Sequence, residues 1–314
     1  MFNGRILGAV MTRRKGKLGS RGPAGPPGRG PAGPPGQPAE RAGSRPRPAF
    51  RPTRQGPQPL WLYGVHAVLA ALANPARRPE RLLATPEAAQ TWGQRLREER
   101  HPAHAGLAVE TVQRRDIDAL LPDGSVHQGL ALLTAPLDQP GLEDIFAARP
   151  AAELATEPPA EPAPRRRVVV LLDQVTDPHN VGAVLRSAAA FGALAVVALD
   201  KGAPEESGTL AKAASGALEV VPYVSVVNLA RALDSLKDAG FWCLGLAGEA
   251  ERSLAASHPG EDVALVLGAE GSGLRRLTRE RCDLLVKLPT RAPIESLNVS
   301  NAAAVALYEL LGRG

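Results

Sequence analysis

Cysteine is scarce in this chain of 314 residues, which contains only Cys243 and Cys282. The two lie far apart in the sequence, and neither belongs to a CxxC pair or to a cluster of cysteines and histidines. Disulfide frameworks and zinc sites both depend on several suitably spaced ligands. The sequence therefore predicts no disulfide and no metal site, and it indicates a reducing compartment, which we take to be the cytoplasm.

Long apolar runs are missing as well. No stretch approaches the roughly 20 apolar residues that a membrane-spanning helix needs. The apolar run Ile6–Met11 is too short for the core of a signal peptide, and the basic run 13–15 follows it instead of preceding it. These absences predict a soluble protein without a membrane partner. They leave open whether translation starts at Met1 or at Met11.

Acidic residues are almost absent from the first 60 positions, which hold Glu40 alone against 12 lysines and arginines. This segment carries +11, and because the whole chain carries +5, residues 61–314 carry −6. Such a charge attracts polyanions over long range but selects no sequence. With few large apolar residues to offset the entropy of ordering, residues 1–59 are predicted to form a disordered basic Gly/Pro/Arg-rich tail. That tail either holds RNA loosely or only improves solubility.

Two other segments have the apolar periodicity of folded α/β domains. Residues 60–135 predict a small domain, with helices at 65–73, 86–100 and 116–121 and strands at 81–85, at 107–112 and after 127. Residues 136–166 are rich in proline, alanine and glutamate, which predicts a linker with a short helix over 142–147 that lets the domains move. Residues 167–314 predict a doubly wound α/β domain. Its expected strands are 168–173, 194–199, 220–224, 241–246, 263–267 and 284–288.

Three turns at the carboxyl ends of these strands have unusual sequences, and ligands bind outside such ends in open α/β sheets. The first contains Asp177-Pro-His-Asn-Val-Gly-Ala-Val-Leu-Arg, in which Asn180 stands at a helix start. Arg186 then lies on a helix of small apolar residues, so we expect it to be buried or half-buried and to need an anionic partner. That partner is either an internal carboxylate or a ligand.

The second turn, Gly268-Ala-Glu-Gly-Ser-Gly-Leu, fits neither the GxGxxG fingerprint nor a Walker loop. Placing the Glu270 carboxylate within this turn costs free energy unless it accepts a hydrogen bond from a nearby donor. The third turn, 288–298, enters a terminal helix over 299–311 whose small residues allow another backbone to approach closely. Ser296 and Asn298 mark the join, where helix capping alone is one interpretation.

Together the three turns resemble the three signature motifs of the SpoU/TrmH family of S-adenosylmethionine-dependent RNA ribose 2′-O-methyltransferases. The resemblance covers residues 167–314, and its motifs stand in the order and spacing of the family. Two earlier segments, Tyr63-Gly-Val-His-Ala-Val and His127-Gln-Gly-Leu-Ala, resemble the small RNA-binding domain of the branch that methylates a guanosine in 23S rRNA.

The resemblance implies S-adenosylmethionine as cofactor, 23S rRNA as partner and a homodimer formed through the carboxyl-terminal domain. It also implies that this domain is tied into a deep trefoil knot. It assigns backbone contacts with the cofactor to Gly268, Leu288 and Leu297. The sequence departs from the family at Thr290-Arg291, and Arg291 either touches RNA phosphate or is solvated. A tRNA substrate and a non-catalytic knotted RNA-binding protein are the alternatives.

The catalytic site that the resemblance implies consists of Asn180, Arg186, Glu270, Ser296 and Asn298. Family analogy places Arg186 where the ribose hydroxyl loses its proton, yet arginine is effectively always protonated. We therefore expect Arg186 to hold the phosphate beside the target ribose and to stabilise the developing alkoxide. Asn180 would then orient Arg186 or the ribose, and the other three residues would complete the polar site.

Overall fold

The computed structural model describes residues 58–147, 166–257, 259–260, 262–293 and 296–312. Nearly all of the predicted basic tail therefore lies outside the described residues, as do residues 148–165 of the predicted linker. Within the described ranges, no helix is long and apolar enough to cross a membrane. The same residues contain no grouping of His, Cys, Asp or Glu side chains that could hold a metal ion.

The first folded part is built on a four-stranded sheet with strand order β1-β4-β2-β3. Its strands are β1 (Leu60–Tyr63), β2 (Pro79–Ala84), β3 (Val109–Thr111) and β4 (Leu130–Thr134). Helices α1 (Val65–Ala73), α2 (Pro86–Glu98) and α3 (Arg114–Asp118) connect them. The predicted helices and three of the strands are confirmed within a few residues. The prediction lacks β1, because a strand of four residues directly before a helix is too short to show alternation.

The second part is a parallel sheet of seven strands in the order β7-β6-β5-β10-β8-β11-β9. The strands are β5 (Arg167–Asp173), β6 (Ala195–Leu199), β7 (Tyr223–Val226), β8 (Trp242–Leu246), β9 (Arg252–Ser253), β10 (Asp262–Gly268) and β11 (Leu284–Lys287). The α/β fold class is confirmed. The trefoil knot stays a prediction, because strand order alone does not define how the chain is threaded.

Two strands of this sheet differ from the prediction. β7 begins at Tyr223 instead of Val220, because Ala217–Glu219 form a 3-10 turn that leaves Val220 exposed. The two-residue strand β9 carries no pattern that could have predicted it.

Helices cover both faces of the parallel sheet. They are α5 (Pro178–Phe191), α6 (Gly208–Ala214), α7 (Leu229–Asp238), α8 (Arg276–Arg281) and α9 (Val299–Leu311), and the predicted α4 (Leu142–Ala147) also packs on this part. α5 packs between α6 and α9. A Cβ on Gly182 would lie 2.4 Å from the Cβ of Ala213. The close packing of α5 on α6 therefore requires glycine at position 182. On α9, Ala303 and Ala306 are fully buried, which confirms the close packing expected of that helix.

One hydrophobic cluster runs through both parts. It contains Leu62 and Leu72 from the first part together with Val170 and Leu185 from the second. The linker interpretation predicted that the two domains can move relative to one another, whereas the structure packs them directly against each other. The packing arises because β1 and α1 present apolar side chains to α6.

Candidate active site

A cavity of about 490 Å³ opens at the carboxyl ends of β8, β10 and β11. This is the edge of a parallel sheet at which ligands bind. The cavity is lined by residues drawn from 246–249, 267–273, 288–290 and 296–302. Two of the three unusual turns therefore form its walls, together with the loop that follows β8.

The glycine-rich turn after β10 folds back on itself. The N–H of Gly273 donates to the carbonyl oxygen of Ala269 at 2.9 Å, and Gly271 adopts a φ of +80°. A Cβ on Gly268 would lie 2.2 Å from the carbonyl carbon of Gly273. Only glycine at position 268 permits this close return of the chain. The cavity wall at this point consists largely of backbone.

Asp173, the last residue of β5, anchors the far end of that turn. Its buried carboxylate accepts the backbone N–H of Arg275 at 2.9 Å and the Nε–H of the same residue at 2.6 Å. The pair fixes the turn to the neighbouring strand. This pair was not predicted from the sequence, although an aspartate at a strand end and an arginine just after a glycine turn are a signal for it.

Three side chains from three different motifs meet beside the cavity, and two of them, Glu270 and Asn298, line it. Oε1 of Glu270 accepts hydrogen bonds from Asn180 Nδ2 at 3.1 Å and from Asn298 Nδ2 at 2.6 Å. Asn298 Nδ2 also donates to Asn180 Oδ1 at 2.9 Å. The donors that Glu270 was expected to need are therefore present. The network joins the start of α5, the glycine turn and the start of α9.

Asn298 performs two tasks in this arrangement. Its Oδ1 accepts the backbone N–H of Ser300 at 2.9 Å, so it caps α9, while its Nδ2 serves the network with Glu270. The capping interpretation is thus correct for Asn298, and capping uses only one end of the amide. Ser296 lines the cavity and is exposed.

The three residues assigned to cofactor contact, Gly268, Leu288 and Leu297, all line the same cavity. They come from the glycine turn and from the two ends of the loop between β11 and α9. Thr290 also lines the cavity, whereas Arg291 is exposed beside it. Their binding role stays a prediction, but their convergence is a property of the fold.

Arg186 differs from expectation, because the structure leaves it exposed. The buried face of α5 is formed by Val181, Val184, Leu185 and Ala188, at helical spacing, and position 186 falls outside that stripe. The expected burial is therefore wrong. Among the described residues, no carboxylate pairs with Arg186, and it has no hydrogen bond there. Asn180 is six residues away along the helix and does not contact it.

The loop after β8, where residues 246–249 line the cavity, was also not predicted from the sequence. The signal was available, since this loop follows a strand of the same parallel sheet at the same edge. A backbone hydrogen bond within Glu249 and the guanidinium of Arg279 lower the pKa of the Glu249 carboxyl from its ordinary value. Glu249 therefore lies at the rim as one half of an ion pair with Arg279.

Comparison with known proteins assigns the chain to a family. The model of the SpoU rRNA Methylase family matches residues 167–308, and a model described as RNA 2′-O ribose methyltransferase substrate binding matches residues 61–140. The 23S rRNA (guanosine-2′-O-)-methyltransferase RlmB of Xanthomonas campestris pv. campestris is 43% identical over 254 residues, which cover 80% of this chain and 96% of the relative. The chain belongs to the SpoU/TrmH family. The resemblance drawn from its motifs is confirmed.

Two further SpoU/TrmH-related proteins extend this finding. RlmB of Pseudomonas putida is 39% identical over 255 residues, covering 79% of this chain and 94% of the relative. The crystal structure of the SpoU methyltransferase AviRb from Streptomyces viridochromogenes, in complex with AdoMet, is 20% identical with a TM-score of 0.63. That match covers 81% of this chain and 90% of AviRb, and it shows a shared fold.

Proposed function

We propose that this protein methylates the ribose 2′-oxygen of a guanosine in 23S rRNA, with S-adenosylmethionine as methyl donor. The observation that carries the proposal is the Asn180–Glu270–Asn298 network, in which Glu270 and Asn298 line a cavity built around a glycine turn. Named relatives with this activity cover most of the chain, and its residues 61–140 match a substrate-binding model. The names of these relatives favour rRNA over tRNA as substrate.

The cavity fits S-adenosylmethionine on structural grounds. Its volume of about 490 Å³ lies within the range of small-ligand sites, about 300 to 1,000 Å³. Leu246, Leu267 and Leu288 would provide apolar wall for the adenine base. The turn at Gly268 leaves backbone accessible, since a Cβ there has no room. When bound there, S-adenosylmethionine supplies an electrophilic methyl group. Backbone at Gly268, Leu288 and Leu297 would hold the nucleoside.

The polar residues beside the cavity bind and orient the RNA in this proposal. Arg186, exposed and without an intramolecular partner in the described residues, holds the phosphate next to the target ribose and stabilises negative charge on the attacking 2′-oxygen. The hydroxyl proton passes to a phosphate oxygen or to water, because a guanidinium does not accept it. Asn180, Glu270 and Asn298 form one hydrogen-bonded unit that positions the ribose, with Ser296 beside it.

The proposed oligomeric state, threading and location rest on the same family resemblance. We place the protein in the cytoplasm as a homodimer formed through residues 167–314, with that domain threaded as a trefoil knot. Exposed Val305 and Tyr308 on α9, 46% and 49% accessible, offer apolar surface for a partner subunit.

The test uses the purified full chain, labelled S-adenosylmethionine, and unmodified 23S rRNA or tRNA. The expected product is a single guanosine in 23S rRNA whose 3′ linkage resists alkaline cleavage, since a 2′-O-methyl group blocks that reaction. Label in tRNA alone would overturn the assigned substrate. Thermal stabilisation by S-adenosylmethionine is a parallel measurement, and its absence together with absent methylation would favour the non-catalytic RNA-binding protein.

A further inference from the structure

We propose that a buried clamp centred on Arg77 locks residues 60–135 onto residues 167–312, so that RNA bound by the first part reaches the cavity in one fixed orientation. The inference rests on the proposed function for the identity of the RNA. The clamp itself stands on contacts within the chain. Arg77 is a positioning residue in this scheme, since it acts on the site only through the placement of the first part.

The side chain of Arg77 is fully buried between the two parts. Its Nη2 donates to Glu219 at 2.6 Å and its Nη1 donates to Glu206 at 2.5 Å, and the two carboxylates are only 5% and 7% exposed. Nε donates to both oxygens of Glu219, at 3.0 and 2.9 Å. Arg77 lies before β2, whereas both acids belong to the second part. The ion cluster therefore spans the junction.

Further donors complete the cluster. Asn74 Nδ2 donates to Glu219 at 2.8 Å, and the backbone N–H of Leu137 donates to Glu206 at 2.9 Å. Burial alone lowers the pKa of the Arg77 guanidinium, but the hydrogen bonds and charges of Glu219 and Glu206 outweigh it and raise the pKa above its ordinary value. Buried charges persist only when they are paired and hydrogen-bonded in this way.

A second set of contacts fastens the first part to α6. Tyr63 and Thr209 share a hydrogen bond of 3.1 Å between their hydroxyl groups, and Lys212 Nζ donates to Gln128 Oε1 at 2.5 Å. A Cβ on Gly208 would lie 2.2 Å from the carbonyl oxygen of Trp61, so β1 and α6 approach as closely as backbone allows.

The two amino-terminal signature segments supply these contacts. Gly64 has a φ of +86°, and a Cβ there would lie 2.5 Å from Lys212 Nζ. Gln128, the partner of Lys212, is one of the non-glycine residues with positive φ, at +56°. Such backbone persists only where surrounding contacts hold it. Both segments are thus shaped to receive α6 of the second part, which is a task distinct from contact with RNA.

A fixed junction has a consequence for RNA binding. When two binding parts are held in register, the second contact forms at high effective concentration, and a loose connection of the wrong geometry loses that gain. The clamp therefore contributes to RNA affinity without touching RNA. It leaves the cofactor cavity unaffected, because none of its residues lines that cavity.

The first test measures the distance between the parts by fluorescence energy transfer in the full chain. Dyes are placed at the exposed positions Val126 and Val227 as cysteines. Burial raises the pKa of the native thiols Cys243 and Cys282 to about 12, so they label slowly. We expect one narrow distance distribution, broadened by Arg77→Met. The matched control Arg81→Met removes an exposed pair with Glu110 inside the first part and leaves the distribution narrow.

The second test separates affinity from chemistry. Arg77→Met should raise KM for full-length 23S rRNA by about tenfold or more, with kcat and S-adenosylmethionine affinity within about twofold. On a short hairpin that carries only the target nucleotide, KM should not change. If Arg77→Met fails to fold, Lys212→Met and Tyr63→Phe are expected to shift the same two readouts in the same direction by smaller factors.

The outcomes are distinguishable. A broad distance distribution in the unmodified chain, or a narrow one in Arg77→Met with an unchanged KM, overturns the clamp. A fall in kcat with unchanged KM also overturns it, since the residue would then act on the chemistry. If the unmodified chain does not methylate 23S rRNA at all, the proposed function fails, and the distance measurement still decides the clamp.

Discussion

Two arginines of this chain stand in opposite settings. Arg77 is fully buried, and its guanidinium is satisfied by Glu206, Glu219 and the carbonyl oxygen of Ala135. Arg186 is exposed on α5 and has no partner among the described residues. The N–H donors of Arg77 are used within the fold, whereas those of Arg186 remain available to a ligand. Burial thus separates an arginine that builds the structure from one that is available to RNA.

The difference also explains why the two cannot exchange roles. Burying a guanidinium costs desolvation free energy, and only carboxylates or other internal partners offset that cost. An exposed guanidinium stays hydrated, so it loses little free energy when unpaired. It can then form a bidentate contact with an RNA phosphate. Substitutions at the two positions should therefore affect different measurements, namely stability and the KM for RNA at 77, and the rate of methyl transfer at 186.

The largest effect is expected for Arg77→Ala on stability. Removal of the guanidinium leaves two buried carboxylates facing each other, which should lower the free energy of unfolding by about 3 to 5 kcal/mol. Urea denaturation measures the change. The control Arg81→Ala, which breaks an exposed pair, should cost at most about 1 kcal/mol. Equal losses at the two positions would contradict the structural role of burial.

Arg186→Ala comes next and should act on the reaction alone. We expect methyl transfer to fall about 100- to 1,000-fold, since one stabilising donor of the developing charge is lost. Cofactor affinity should stay within about twofold, and stability within about 0.5 kcal/mol, because the side chain is exposed. Single-turnover kinetics and calorimetric cofactor titration measure the two quantities. A parallel loss of cofactor affinity would instead make Arg186 part of the cavity's support.

Substitution by lysine at each position should give the smallest changes in rate and stability, and it separates the role of charge from that of guanidinium geometry. Arg186→Lys keeps a point charge for phosphate, so the rate should fall by only about tenfold. Arg77→Lys keeps the charge but lacks the fork that reaches both Glu206 and Glu219, so unfolding free energy should drop by about 1.5 to 3 kcal/mol. The same rate assay and urea titration apply. Full rescue at position 77 would mean that charge alone, without fork geometry, holds the clamp.

Much of the fold followed from periodicity. The central strands β5 and β10 are continuous apolar runs, and their burial on both faces is what such runs predict in a parallel sheet. Short edge elements did not follow. β1 has four residues and β9 has two, so neither shows enough alternation, and pairing with a distant strand decides both.

The candidate site was predictable to the extent that it consists of strand-end turns. Parallel strands end at one edge, so the turns after β5, β10 and β11 had to meet, and Asn180, Glu270 and Asn298 do meet. The loop after β8 and the anchor from Asp173 to Arg275 were missed, because neither shows its partner locally.

Local turn chemistry and a strand pattern that can be read residue by residue were enough to predict the family and to place its three motifs at the strand ends. Which arginine is buried depends on tertiary packing. The partners of Arg77 lie 129 and 142 positions further along the chain, and no local pattern relates residues at that separation. The small residues around Arg186 suggested burial, but the buried stripe of α5 faces the sheet and the neighbouring helices and leaves Arg186 outside. Burial is a property of the packed chain, and it assigned the two arginines their roles.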